Sequence, residues 1–245
     1  MSQEKWSITF LVYRQKGQAQ PHYDSFELEV DPEEYVLDGI ERIWAFHDRS
    51  LCFRHACHHS TCGACGMRVN GVEKLTCITT LRSVTANKGR LKIEPLRNFP
   101  VVTDLVVDMD ELYRRSELVG QQQILSDAEA AIEQSARRRR GVTPESEYLR
   151  LSDCIECGLC VSACPIMAST PAYLGPCTLA GTQANGLDRA PELLPIVDNG
   201  DGVWRCHSVY ECTAVCPSNV DPGWRIMELR KQVMRERLRQ LFNRS

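Results

Sequence analysis

The sequence predicts an α+β protein in two parts, a strand-rich N-terminal half followed by an all-α C-terminal half. Three observations predict it. Residues near the start alternate apolar and polar with a period of two. A helical pattern and further short β-rich runs follow them. Beyond residue 144 the pattern is of short helical pieces broken by proline and glycine, closing on one long amphipathic helix. The expected ranges are 1–106 for the first domain, 107–143 for a helical linker and 144–245 for the second domain.

Residues 6–13, WSITFLVY, are apolar and rich in strand formers, and in SFELEV Phe26, Leu28 and Val30 share one face. The intervening QKGQAQPHYD has turn chemistry, so the two runs read as an opening hairpin. Asp31-Pro32 is expected to stop the strand and open a helix, with Pro32 in its first turn. Along that helix Val36, Leu37, Ile40, Ile43, Trp44 and His47 recur at spacings of three and four. Hairpin, helix and further strands together predict a β-grasp arrangement. The run LTCITTL reads as a returning strand, and 91–107 as one more strand closing the domain.

The linker is expected to be helical through MDELYRRSEL and ILSDAEAAIEQSARRRR. Arg137 to Arg140 read as a solvated helix end, where cations meet the negative end of the helix dipole. The competing reading is an anionic partner surface or lipid headgroups. In the final helix, residues 223–242, the expected apolar stripe is Ile226, Leu229, Val233, Leu238 and Leu241.

Composition sets limits on function. A hydrophobic content of 43% and a charged content of 25% suit a globular chain. The net charge of -3 argues against nucleic acid as the main partner. No stretch approaches the ~20 apolar residues that span a bilayer. The start, MSQEKWSITF, has no basic segment leading into an apolar run, so no secretory signal is expected. Thirteen cysteines are therefore read as metal thiolates in a reducing compartment.

Their spacing sorts them. Cys57-x4-Cys62-x2-Cys65, with Cys77 further on, is the plant-type pattern for a 2Fe–2S cluster. Gly63 and Gly66 between these ligands allow a tight loop whose amides aim at sulfur. His58 and His59 read as solvated loop residues, because Rieske ligation replaces two cysteines and all four are present here. Cys154-x2-Cys157-x2-Cys160-x3-Cys164-Pro165 is a bacterial-type ligand run, in which the fourth cysteine serves the neighbouring cluster. The run Cys206-x5-Cys212-x3-Cys216-Pro217 repeats it with one defect. Val209 stands where a cysteine would complete the set, and an aliphatic side chain cannot hold iron.

The expected partition is Cys154, Cys157, Cys160 and Cys216 on a 4Fe–4S cluster. Cys164, Cys206 and Cys212 remain for a 3Fe–4S cluster. The competing assignment, zinc, also uses C-x2-C pairs, but a run of this spacing ended by proline and occurring twice favours clusters. Eleven of thirteen cysteines are thus used. Cys52 and Cys177 are expected to be small buried hydrophobes. The chain has no flavin fingerprint, P-loop or dinucleotide motif, so three cofactors of different charge form a wire whose electrons enter and leave through partners.

The segments CHHSTCGACG, CIECGLCVSACP and RCHSVYECTAVCP resemble the iron–sulfur subunit of succinate dehydrogenase and fumarate reductase over nearly the whole chain, and PVVTDLVVDMDELY resembles that family's domain junction. The resemblance implies a β-grasp plant-type 2Fe–2S ferredoxin domain against a flavoprotein carrying FAD, and an all-α bacterial-type ferredoxin domain against membrane anchor subunits, with or without haem b. It implies electron relay between FAD and a quinone, at the cytoplasmic face of the inner membrane. The Cys57 cluster would lie on the flavin side and the three-iron cluster nearest the quinone.

Ser169, His207 and Arg230 are the residues the resemblance brings to the quinone vicinity. His207 follows a three-iron ligand and suits proton delivery. Where many family members carry tryptophans after the first Cys-Pro, this chain has Ile166, Met167, Ala168 and Ser169. Direction stays open, since a fumarate reductase subunit runs the same wire in reverse. The reading from another class is a soluble multi-cluster ferredoxin-type carrier. The long C-terminal helix and arginine-rich linker favour a fixed subunit.

Overall fold

A computed structural model describes residues 5–119, 154–187 and 190–242. Arg137 to Arg140 and most of the expected linker lie outside the described residues. The chain divides into two compact units. One comprises the residues up to Met109 together with Ile155–Ala168; the other comprises Asp110–Cys154 and Ser169 onward. The segment 155–168, which the sequence reading grouped with the second domain, packs with the first unit.

In the first unit β1 (Trp6–Arg14) and β2 (His22–Val30) form the expected antiparallel hairpin, in register from Trp6 opposite Val30 to Arg14 opposite His22. The second strand starts earlier than expected, because His22, Tyr23 and Asp24 find ladder partners in Arg14, Tyr13 and Val12. The sheet is completed by β3 (Gly66–Val69), β4 (Val72–Leu75) and β5 (Arg90–Glu94), in the order β2-β1-β5-β3-β4. β5 runs parallel to β1 and antiparallel to β3. The expected single strand over 91–107 is instead β5 followed by a small separate hairpin, β6 (Val101–Thr103) and β7 (Val106–Val107). Asp104 at its tip takes a left-handed backbone, φ 46°.

Helix α1 (Val36–Phe46) lies across this sheet. Val36, Ile40 and Ile43 are fully buried against Ile8, Phe10, Leu91 and Ile93, each burial contributing about 1.5–3 kcal/mol. The helix begins four residues later than Pro32 suggests. Asp31 instead closes a turn, its side chain accepting from Glu33 N at 2.9 Å and its carbonyl from Glu34 N at 3.0 Å. Asp38 then reaches back to Tyr35 N at 2.9 Å and caps the true start. Trp44 lies on the outer side of the helix, 39% exposed.

One end of the sheet is tied by a buried charge network. Arg14, 5% exposed, donates to Asp48 and to Asp24 at 2.7 Å, and its Nε lies 3.3 Å from the fully buried Asp104. Asp104 in turn accepts from Gln15 N and Cys52 N, each at 3.0 Å. The Asp48 carboxyl is held down to about 2, first by the Ser50 hydroxyl and then by Arg14. β1, the loop after α1 and the β6–β7 hairpin are thereby fixed to one another.

The second unit is helical. It contains α2 (Asp110–Leu118), and its Arg115 donates to the carbonyls of Tyr173 at 2.6 Å and Pro171 at 2.9 Å. Next in the chain, the short α3 (Leu159–Ala163) and α4 (Pro165–Ser169), which follow through the first bacterial-type run, belong to the first unit except for Ser169. Then come α5 (Pro176–Asn185), α6 (Leu194–Val197), α7 (Glu211–Ala214) and the long α8 (Pro222–Phe242). Along α8, Ile226, Leu229 and Val233 are buried as expected. Leu238 and Leu241 are not: they are 48% and 66% exposed, because the helix runs past the α5 surface that covers its first turns. Among the described residues no helix is long and apolar enough to cross a membrane.

Gly39 of α1 gives a test of this packing. A Cβ there would stand 2.8 Å from Cε1 of the buried Phe10 ring. Overpacking costs about 1–3 kcal/mol, against a helix-propensity gain of about 1 kcal/mol. Gly39→Ala is therefore expected to lower the opening free energy of β1 and α1 amides, read by hydrogen exchange in urea, by up to about 2 kcal/mol. In a Phe10→Leu background the same substitution should cost less. A gain in protection in the Phe10 protein would show that the ring yields freely.

Candidate metal centres

The first centre is built by a loop between α1 and β3. His58 and Ser60 each adopt φ 59°, and Gly63 φ 71°, so the chain between Cys57 and Cys65 coils tightly. Its amides consequently turn inward. The backbone N–H groups of His59, Thr61 and Cys62 point at Cys57 Sγ at 3.5, 3.3 and 3.4 Å, and Ser60 N–H points at Cys77 sulfur. The Cys57 and Cys62 side chains are within hydrogen-bonding reach of each other, as are those of Cys65 and Cys77. The four plant-type cysteines therefore converge, and none of them is in a disulfide. Cys77 arrives not on a strand, as expected, but in the turn following β4. There Thr76 N and its hydroxyl both bond the Cys65 carbonyl, at 3.2 and 3.0 Å.

The loop splits its thiols electrostatically. Amide donors, His59 foremost and then Cys62, bring Cys57 down to about 6. Burial pushes Cys77 up to about 12, helped by its neighbours Cys65 and Cys57. Four convergent sulfurs with inward amides suit an anionic iron–sulfur group, whose charge those donors stabilise.

Gly63 and Gly66 have a second task that the spacing did not reveal. A Cβ on Gly63 would meet the Ile155 carbonyl at 2.7 Å and Cys157 Cβ at 2.9 Å. One on Gly66 would meet the Cys157 carbonyl and Leu159 Cδ2 at 3.2 Å. The two glycines let the first loop lie directly on the segment that carries Cys157. That segment is held from behind. Asn98 Nδ2 donates to the carbonyls of Val161 at 2.8 Å and of Ser162 and Cys164 at 3.1 Å, satisfying the end of α3. Ser162 Oγ donates to the buried Glu73 at 2.8 Å and accepts from Arg97 N at 2.8 Å.

In the second unit Cys154 and Cys216 pack on the same buried pair, Ala180 and Val220. Val220 N–H points at Cys216 sulfur and Ser208 N–H at Cys206 sulfur, each at 3.4 Å. Cys212, in α7, is buried. Val209 is 51% exposed, between Ser208 and Tyr210, both left-handed at φ 57° and 66°. Arg230 of α8 clamps the Cys206 turn. Its Nε donates to the Val203 carbonyl at 3.0 Å, Nη1 to Ser208 Oγ at 3.4 Å, and Nη2 to the Cys206 carbonyl. His207 and Ser169 are exposed.

Of the two remaining cysteines, Cys177 is buried as expected. Cys52 is only half-buried, its thiol 3.6 Å from the Ser50 carbonyl. His59 is exposed, but His58 does not stand alone in solvent: it meets Glu41 and His55.

Comparison with known proteins gives a consistent result. Residues 9–114 match the 2Fe-2S iron-sulfur cluster binding domain, and residues 150–220 the 4Fe-4S dicluster domain. The fumarate reductase iron-sulfur subunit of Mycobacterium tuberculosis is 34% identical over 94% of this chain and 93% of its own length. That of Haemophilus influenzae is 31% identical over 89% and 88%. The succinate dehydrogenase iron-sulfur subunit of Coxiella burnetii is 29% identical over 94% and 98%. Among solved structures, a chain of the Mycobacterium smegmatis Sdh1 complex in the apo form shares the fold. Its TM-score is 0.77 at 21% identity, covering 95% of this chain and 98% of that one.

The split between Cys57 and Cys77 can be read by chemistry. In cluster-free protein at pH 7.5, iodoacetamide should label Cys57 at least ~10-fold faster than Cys77, since only thiolate reacts. Cys57 labelling should fall off as pH drops through about 6, whereas Cys77 should stay slow until pH approaches about 12. Equal labelling of the two at pH 7.5, measured by peptide mass mapping, would refute the loop electrostatics.

Proposed function

The chain belongs to the family of iron–sulfur subunits of succinate dehydrogenase and fumarate reductase, and from that premise we propose that it relays electrons between the FAD of a flavoprotein subunit and a quinone at a membrane anchor. The observation that carries this reading is the seating of the Cys57–Cys65 loop directly on the Cys157 segment through Gly63 and Gly66. Two redox centres whose ligand loops touch are suited to exchange electrons.

In this reading Cys57, Cys62, Cys65 and Cys77 hold a 2Fe–2S cluster. Cys154, Cys157, Cys160 and Cys216 hold a 4Fe–4S cluster, in keeping with the shared packing of Cys154 and Cys216 on Ala180 and Val220. Cys164, Cys206 and Cys212 hold a 3Fe–4S cluster, with Val209 at the vacant corner. Bound there, the clusters supply one-electron steps with staggered potentials. The protein supplies anionic sulfurs and inward amides that favour the more negative reduced state. His207, exposed beside Cys206, delivers protons to the quinone. Arg230 fixes the Cys206 turn beneath it, and Ser169 belongs to the same vicinity. The domain ranges 1–106, 107–143 and 144–245 describe these centres by ligand set, and the complex sits at the cytoplasmic face of the inner membrane.

A second reading is the same relay run from quinol to fumarate. It is favoured by the fumarate reductase names of the relatives from Mycobacterium tuberculosis and Haemophilus influenzae. Measuring succinate oxidation and fumarate reduction by the same preparation separates the two.

The relay is tested on protein purified from its native membrane. Reduced protein should give a 2Fe–2S EPR signal, oxidised protein a three-iron signal, and flavoprotein and anchor chains should co-purify. Zinc without acid-labile sulfide would refute it. Val209→Cys supplies a fourth thiolate at the vacant corner, and the oxidised three-iron signal should fall to less than about half as a four-iron cluster replaces it. An undiminished signal would remove Val209 from that corner.

A further inference from the structure

Beside the first centre lies a group of side chains that the relay does not use. Glu41 projects from α1, His55 from the extended stretch after it, and His58 from the cysteine loop. Their donor atoms meet at one point. His55 Nδ1 is 3.0 Å and His58 Nε2 is 3.2 Å from Glu41 Oε1, and the two ring nitrogens are 3.2 Å apart. These are the spacings of neighbouring donors around one cation, since tetrahedral zinc with bonds of about 2.0–2.1 Å sets its ligands about 3.3 Å apart.

The two rings also hydrogen-bond each other across that 3.2 Å, and two further observations favour a cation at the point where the three groups meet. Glu41 Oε1 has no solvent exposure, yet it accepts no hydrogen bond in spite of the two nearby ring nitrogens. A buried carboxylate oxygen left this way is costly unless a positive charge faces it. The rings are also held in place. His55 stacks on Phe53 at 5.0 Å with 20° between planes, and meets His58 edge-on at 5.3 Å and 90°. His58 reaches the group from a left-handed backbone, φ 59°, a conformation that costs energy for a non-glycine residue.

We propose that Glu41, His55 and His58 form a binding site for a divalent cation of the zinc class. Two imidazole nitrogens and one carboxylate oxygen supply three ligands. Water fills the fourth position, because the His55 and His58 side chains remain 39% and 43% exposed on the outer side. The donor set excludes the other common candidates: calcium and magnesium take oxygen ligands, and two imidazoles with a carboxylate suit zinc and its first-row neighbours. The site joins α1 to the loop that carries Cys57, and so staples the cysteine loop to the rigid part of the first unit.

The test uses the full-length chain carrying its clusters, dialysed against buffered zinc, with zinc, iron and acid-labile sulfide measured together. The wild type is expected to retain one zinc per chain with iron and sulfide unchanged. Glu41→Gln and His55→Ala should each raise the zinc dissociation constant about tenfold or more with iron and sulfide still unchanged. His58 is left intact because it adjoins Cys57. A wild type that retains no zinc, variants that retain it with unchanged affinity, or zinc that enters only as iron leaves would each overturn the site. Iron and sulfide report separately on the cysteine centres, so failure of the zinc site and failure of the relay are distinguishable.

Discussion

The structure depends on one requirement: negatively charged sulfurs must be brought together, two of them, Cys65 and Cys77, away from water. Like charges repel, and burial penalises the enclosed ones further. The Cys57–Cys65 loop meets the requirement with its own backbone. His58, Ser60 and Gly63 turn left-handed so that amides of residues 59–62 face sulfur. The result is an uneven set of thiols, with Cys57 brought down by amide donors and Cys77 pushed up by burial. Holding an iron–sulfur group would remove that unevenness, because Cys57 and Cys77 would both serve it as deprotonated thiolates.

The remainder of the first unit holds this loop still. The β-grasp sheet and α1 supply the rigid face. Arg14, Asp48 and Asp104 fasten the loop after α1 to β1 and to the small β6–β7 hairpin. On the other side Glu73, Ser162 and Asn98 hold the Cys157–Cys164 segment by hydrogen bonds that satisfy the end of a helix too short to satisfy itself. Glycine at 63 and 66 then permits contact between the two cysteine segments, where any side chain would separate them. The zinc-class site at Glu41, His55 and His58 would add a further fastening at the outer edge of the same loop.

Much of this was legible in the residues. Alternation marked the hairpin, and spacing singled out Cys57, Cys62, Cys65 and Cys77, which converge. The places where reading fell short share a cause. Pro32 is a permitted helix start, yet Asp38 captures Tyr35 N and moves the start to Val36. Cys77 lies in a run that reads as strand, but Thr76 bonds back to the Cys65 carbonyl and makes it a turn. Leu238 and Leu241 keep the period of a buried stripe where, among the described residues, nothing covers them. In each case a competing hydrogen bond or a missing neighbour decided, and neither is written in local pattern.

By itself the sequence determined the chemistry on offer: which sulfurs exist, at what spacings they stand, and that the aliphatic Val209 cannot serve as a ligand. These follow from side-chain type and from spacing, which are local. Only the tertiary structure decided which groups meet. It laid the first cysteine loop on the Cys157 segment, packed both Cys154 and Cys216 on Ala180 and Val220, placed Arg230 on the Cys206 turn, and gathered His58 with Glu41 and His55. Such meetings join residues from separate elements of the fold, and they form only when apolar burial has fixed the elements that carry them.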